Sequence, residues 1–99
     1  EFTTASLTSQ NVDDKMHWPP RTESLAIEEA MVKALPHVAW CELDSNGYVL
    51  VDVRPERVTA EWWHVDTVLR PSTGERCSAR WSVEAGSSRL VEEPVPAAR

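Results

Sequence analysis

The side chains of this 99-residue chain that could do chemistry are three histidines, two cysteines and a scatter of carboxylates. His17, His37 and His64 stand far apart, and none has a partner at the short intervals by which helical or knuckle motifs hold a metal ion. Asp13 and Asp14 fall in a stretch expected to be a loop, where acidic side chains can reach a cation. With His37 they are the candidate metal ligands, although a solvated turn accounts for the two carboxylates more simply. His64 and Asp66 lie two apart, so on a strand they share a face and could form an acid–base pair. No nucleophile in a defined environment accompanies them, and bonding to each other or to another segment would satisfy both. The serines and threonines show no nucleophile elbow, and with only three glycines no phosphate-cradling loop is present. The chain is therefore expected to carry no catalytic or cofactor-binding residue of its own.

Composition narrows the remaining classes. Ten basic and sixteen acidic residues give a net charge of −6, and the basic ones are scattered, which disfavours nucleic acid as a partner. No apolar run is long enough for a transmembrane segment, and no basic amphipathic helix offers surface attachment. Five tryptophans against one phenylalanine and one tyrosine supply large apolar areas that are often buried against another chain. A single small domain of this length has a modest core and cannot hold a large active site alone.

The elements that would position these residues centre on Gly47 to Leu69, which reads as a β-hairpin. Val49, Val51 and Val53 alternate with Tyr48, Leu50 and Asp52, and Val58, Ala60 and Trp62 alternate with Thr59, Glu61 and Trp63. Pro55-Glu56 in a tight turn sets Val53 opposite Val58, Val51 opposite Ala60 and Val49 opposite Trp62, collecting one apolar face. The other face pairs Tyr48 with Trp63 and Leu50 with Glu61 and is half solvated. Tyr48, Trp62, Trp63 and Trp81 are the expected structural aromatics.

Around the hairpin the pattern predicts a strand over 1–8, a loop over 9–21 and one helix over 22–35. That helix is capped by Thr22 or Ser24, buries Ile27, Ala30, Met31 and Ala34, and is stopped by Pro36. Strands follow over 38–43, 48–54, 57–69 and 76–84. Gly47 is expected to be left-handed in the turn before the hairpin, and Val68 to face Cys77, which puts His64 opposite Trp81 and Asp66 opposite Ala79. A last short strand lies near Leu90-Val91, and a flexible tail occupies 92–99. The fold class is α+β, mainly an antiparallel β meander with one helix.

Gly-Tyr at 47–48, Val-Asp-Val at 51–53, Pro-Glu-Arg-Val at 55–58, Ala-Glu-Trp-Trp at 60–63 and Val-Asp-Thr-Val-Leu at 65–69 together resemble the C-terminal β region of PhoD-type alkaline phosphatases. That family includes secreted bacterial phospholipases D. The opening Glu-Phe and Ser-x-Thr-Ser are similar to the strand after the family's last metal-binding His segment, so the likeness runs over 1–91. It implies the C-terminal part of a larger metallophosphatase-type β sandwich, in a secreted, proteolytically processed phosphodiesterase of lipid degradation, a hydrolase in which this chain alone is not catalytic. Ferric iron and calcium would be held by ligands upstream of Glu1, on a larger N-terminal chain that is the expected partner and through which a phospholipid or phosphate-ester substrate would be met. The start at Glu1, without an initiator methionine, looks like a cut. Related sequences more often carry Asn-Pro-His where this one has Leu35-Pro36-His37, which weakens a transferred role for His37. An autonomous tryptophan-rich β module binding a ligand or protein is the competing class.

Cys41 and Cys77 stay open. In a secreted protein two cysteines usually pair, and closing this loop would contribute about 3–4 kcal/mol in the chain-entropy model. The meander register instead sets them on strands separated by two others, beyond the ~7 Å Cα separation of a disulfide.

Overall fold

The computed structural model describes residues 1–97. It forms two compact units, one of Glu1–Leu7 with the chain from Asn46 onward, the other of Thr8–Ser45.

In the first unit four strands, β1 (Gly47–Val53), β2 (Arg57–Val65), β3 (Glu75–Glu84) and β4 (Val91–Glu92), form one antiparallel sheet in the order β1-β2-β3-β4. The fold class is thus α+β with a meander sheet. The β1–β2 register is the one expected, from Tyr48 opposite Trp63 and Val49 opposite Trp62 to Val53 opposite Val58. The Arg54 amide closes the turn onto the Arg57 carbonyl at 2.9 Å, because proline at the second turn position presets its backbone. Gly47 opens β1 rather than sitting left-handed in a turn. A Cβ there would strike the Trp63 carbonyl oxygen, so the close approach of the strands requires glycine.

Burial departs from the one-faced expectation. On β2 Ala60 and Trp62 are buried on one face and Thr59 and Trp63 on the other, with Trp63 only 1% exposed. On β1 Val51 (42%) and Leu50 (48%) are both open. A central strand is covered from both sides while an edge strand borrows cover from only one neighbour. Trp62 meets Phe2 edge-to-face at 5.5 Å and donates its indole N–H to the Thr3 carbonyl at 2.8 Å. This use of its carbonyls is why 1–8 is no strand. The Ser6 carbonyl likewise accepts from the Gly47 amide and the Asn46 side chain, so the segment is tied down by side chains and a strand end rather than by a ladder.

The β2–β3 register differs from expectation by four or five residues. Trp62 faces Ala79, Trp63 faces Cys77 and His64 faces Arg76, with a shift between Trp62 and Trp63 that leaves Ser78 as the extra residue of β3. β2 ends at Val65, and the Asp66 amide bonds the Gly74 carbonyl at 3.0 Å. The Pro71-containing connection is therefore a wide loop and not a tight turn. The Asp66 carboxylate lies over Gly74, in the space a Cβ would take, so a side chain there would push this exposed carboxylate aside. Order also continues past Leu90. Glu93 donates its amide to Arg80 and accepts from the Ser82 hydroxyl at 2.7 Å, so the tail is anchored at its start. Residues 98 and 99 of the expected flexible tail lie outside the described residues.

The second unit holds α1 (Val12–Met16), inside the stretch expected to be loop, and α2 (Glu23–Ala34). The Asn11 amide donates to the Asp14 carboxylate at 3.1 Å, which starts α1. The expected stripe of α2 is not the buried one. Ile27, Ala30 and Ala34 are exposed and Met31 is half-buried, while Ser24 and Glu28, one turn apart, face inward. No strand forms over 38–43. The Glu42 carboxylate accepts the amides of Asp44 and Ser45 at 2.6 and 2.9 Å and folds the chain back on itself, a local bond competing with extended structure.

Truncating Trp63 to Ala should cost about 3–5 kcal/mol, read as a lower urea midpoint. Leu50→Ser should stay within about 0.5 kcal/mol, and a larger effect would show that β1 is covered.

Candidate functional site

The densest arrangement of ionisable groups among the described residues is in the second unit. Arg21 enters it from a left-handed backbone (φ 57°) after Pro19-Pro20, a conformation that a non-glycine residue holds only when its surroundings fix it. Asp44 fixes it, accepting the Arg21 amide at 2.9 Å. The same carboxylate accepts the Ser24 hydroxyl at 2.5 Å, and its main-chain oxygen accepts the Asn11 side chain at 2.9 Å. Arg21 Nη1 then stands 2.6 Å from Glu28 Oε2, 3.0 Å from Glu42 Oε1 and 3.5 Å from Asp44 Oδ2. Three buried carboxylates thus converge on one guanidinium that is itself about a third exposed.

Charge balance follows from this geometry. Hydrogen bonding to Glu28 raises the Arg21 pKa against the opposing effect of burial. Burial pushes the Glu42 carboxyl up, but bonds from the Ser45 hydroxyl and the Asp44 and Ser45 amides, with the Arg21 charge, outweigh it and hold the group below its ordinary value. Asp13 goes the other way. Burial raises its pKa, a bond from the Asp14 amide opposes this, and the Asp44 charge adds to the rise, while Asp13 Oδ1 has no hydrogen-bond partner.

Carboxylate oxygens of Glu28, Glu42 and Asp44 lie within 4.8 Å of one another, a spacing that suits a cation. The guanidinium of Arg21 already stands among them, so the donor set does not fit a resident iron or calcium ion. The sequence-level candidates lie elsewhere: His37 is exposed, Asp14 is engaged at the start of α1, and Asp13 belongs to no group of ligating side chains among the described residues. Sequence reasoning passed over Arg21, Glu28, Glu42 and Asp44. The available signal was Ser24 and Glu28 at one-turn spacing, polar where an apolar stripe was sought.

His64 and Asp66 do not pair. His64 is buried with Nδ1 2.6 Å from the Ser78 hydroxyl, the residue that the β3 irregularity inserts, whereas Asp66 is exposed beyond the end of β2. Tyr48 donates its hydroxyl to Glu75 at 2.9 Å, Trp63 its indole to Glu61 at 3.2 Å, and Trp81 is half-buried with its indole N–H unpartnered. Cys41 and Cys77 both stand as thiols in the structure. Cys41 lies against the Glu28 carbonyl and Cys77 against that of Ala79. Burial, and then the Glu28 charge, push the Cys41 thiol up, which leaves it unreactive.

The sequence profile described as PhoD-like phosphatase matches residues 1–62. Neither a curated protein nor a solved structure matches the chain.

Arg21→Met should destabilise the protein by about 2–3 kcal/mol, less than for a fully buried partner because the guanidinium is partly solvated. Chemical denaturation at pH 7 measures it. The two shifted carboxyls carry opposite signs. Glu42 contributes stability above its ordinary value of 4.5 that is lost as pH falls through its lower folded value, so Glu42→Gln should flatten the acid limb of the stability profile. Ionised Asp13 costs stability, fully above its raised folded value and not at all below its ordinary 3.8. Asp13→Asn should therefore stabilise at pH 7, with the gain fading on acidification.

Proposed function

Because the chain belongs to the PhoD-like phosphatase family, we propose that it is the C-terminal chain of a secreted, metal-dependent phosphoric ester hydrolase of the phospholipase D or alkaline phosphatase/phosphodiesterase kind. In this reading it is structural, non-catalytic by itself, and completes the sheet that supports a metal site built upstream. The observation that carries the reading is the family match over 1–62, which takes in the opening segment, both helices, β1 and most of β2.

Phosphoric ester hydrolysis and a general dependence on metal come with the family. Ferric iron and calcium are the proposed ions, with ligands on a larger N-terminal chain of the same precursor. The carboxylates of the Arg21 cluster are themselves engaged by a guanidinium, and ligation of both ions upstream is part of the proposal. What this chain's residues do is hold shape: Arg21 and Asp44 fix the second unit, while Trp62, bonded to Thr3, fixes the opening segment that would connect to the metal-bearing chain. No helix of the described residues is long and apolar enough to cross a membrane. Secretion is part of the proposal and rests on the family likeness. Burial of Trp62 and Trp63 in the sheet weighs against a module that presents its tryptophans to a ligand.

Co-purification from the native source should return this chain with the larger one at one to one. The complex, supplied with ferric iron and calcium, should hydrolyse a phosphodiester such as phosphatidylcholine, and residues 1–99 alone should not. Metal-dependent hydrolysis by the isolated chain would overturn the proposal, as would its recovery as a free folded monomer.

A further inference from the structure

Asn46-Gly47 is the one Asn-Gly step of the sequence, the other asparagine, Asn11, being followed by Val12. Such a step is chemically labile. Asparagine is among the thermolabile residues, and a following glycine has no side chain to shield the backbone nitrogen that attacks it. In the folded chain one atom holds this reaction off. The Ser6 carbonyl oxygen accepts the Gly47 amide at 3.3 Å and the Asn46 side-chain amide at 3.0 Å, so the attacking and the leaving nitrogen are tied to the same acceptor. From the other side the Val65 amide donates to the Asn46 carbonyl at 2.9 Å, and Gly47 pairs with His64 in the ladder. The Asn46–Gly47 peptide cannot turn to close a ring while these bonds stand, and Asn46 is only 6% exposed. The clamp itself is light. Ser6 and Leu7 are exposed, and residues 1–7 are tied down without a strand ladder, so they open more readily than the sheet does.

We propose that Asn46-Gly47 is a deamidation site gated by residues 1–7, and that its reaction releases those residues irreversibly. When the segment lifts, the Gly47 nitrogen attacks Asn46 Cγ. The N–Cγ bond forms, the Cγ–Nδ2 bond breaks, and Nδ2 leaves as ammonia with the proton from the Gly47 amide. Water then opens the succinimide at either carbonyl, giving aspartate or isoaspartate, and no oxidant or reductant is needed. Both products lack the Nδ2 donor and gain a negative charge, so the Ser6 carbonyl meets repulsion where it held a hydrogen bond. Isoaspartate also adds one carbon to the main chain, which displaces the bond to Val65 and disturbs the register at the start of β1. The segment then cannot dock again. Phe2 leaves the Trp62 ring, which it meets at 5.5 Å, and the Trp62 indole loses the Thr3 carbonyl. The device runs one way, at a rate set by the fraction of time that residues 1–7 stand open. It is independent of the proposed activity.

Incubating the full chain at mildly alkaline pH, with peptide mass spectrometry resolving asparagine, aspartate and isoaspartate at position 46, tests it. Reaction in urea should be at least tenfold faster than in the folded chain, while Asn11, shielded by the branched side chain of Val12, stays intact in both. Phe2→Ala loosens the segment without touching a reacting atom. It should speed the reaction of the folded chain several-fold and leave the rate in urea unchanged. Asn46→Asp fixes the charge of the reacted state. In that variant hydrogen exchange should show the Gly47 amide losing its protection, while the amides of Leu50 and Asp52, bonded across to β2, keep theirs. Should Phe2→Ala fail to fold, the Asn46→Asp readout decides. Equal rates in the folded chain and in urea overturn the proposal. A folded Phe2→Ala variant that reacts at the parent rate, or an Asn46→Asp variant whose Gly47 amide stays protected, overturns it as well.

Discussion

The carboxylate of Asp44 is the constraint on which the second unit depends. It accepts the Arg21 amide and the Ser24 hydroxyl, and its backbone oxygen takes the Asn11 side chain, so one residue joins α1, the Pro-Pro connection, α2 and the chain end of the unit. A buried carboxylate costs several kcal/mol unless it is fully bonded, and every segment around it is bent to supply a donor. Even the left-handed backbone of Arg21 belongs to this requirement. The unit is held by polar satisfaction around a charge, with its apolar helix face left outside.

The first unit is organised on the opposite principle. Its centre is β2, apolar on both faces, and each tryptophan there spends its indole N–H on a specific acceptor, Thr3 for Trp62 and Glu61 for Trp63. Such bonds fix the ring as well as bury it. The chain thus contains, in two separate units, a knot of charges and a tryptophan sheet.

The β1–β2 hairpin was legible in the sequence because two independent signals agreed on it, strict alternation and a proline-centred turn, and a slip by one residue would have exposed Trp62. α2 was legible in position but not in orientation. Its apolar residues suggested a stripe, and the partner that decides the inward face, Asp44, comes twenty residues after Ser24 and leaves no periodic trace. The β2–β3 register failed for a related reason. Alternation persists through Asp66 and Val68, so nothing local marks the end of β2 at Val65, and an inserted residue such as Ser78 breaks the parity on which such reasoning relies. The segments 1–8 and 38–43 alternate weakly, and in both the chain bonds to side chains instead of to a neighbouring strand. The Arg21 cluster was hidden because charges in sequence are read as solvated unless their partners are known.

The discontinuity of the first unit has a consequence for biosynthesis. Residues 1–7 are translated before the rest of this stretch, yet the atoms that hold them, on Asn46, Gly47 and Trp62, follow forty to sixty residues later. The intervening Thr8–Ser45 unit holds Arg21 together with Glu28, Glu42 and Asp44 and can close first, as completed units do during synthesis. The leading segment, with Phe2 exposed, must wait until β2 has emerged to be clamped. The order of translation thus leaves an apolar end open until Trp62, which bonds Thr3 and packs on Phe2, has been made.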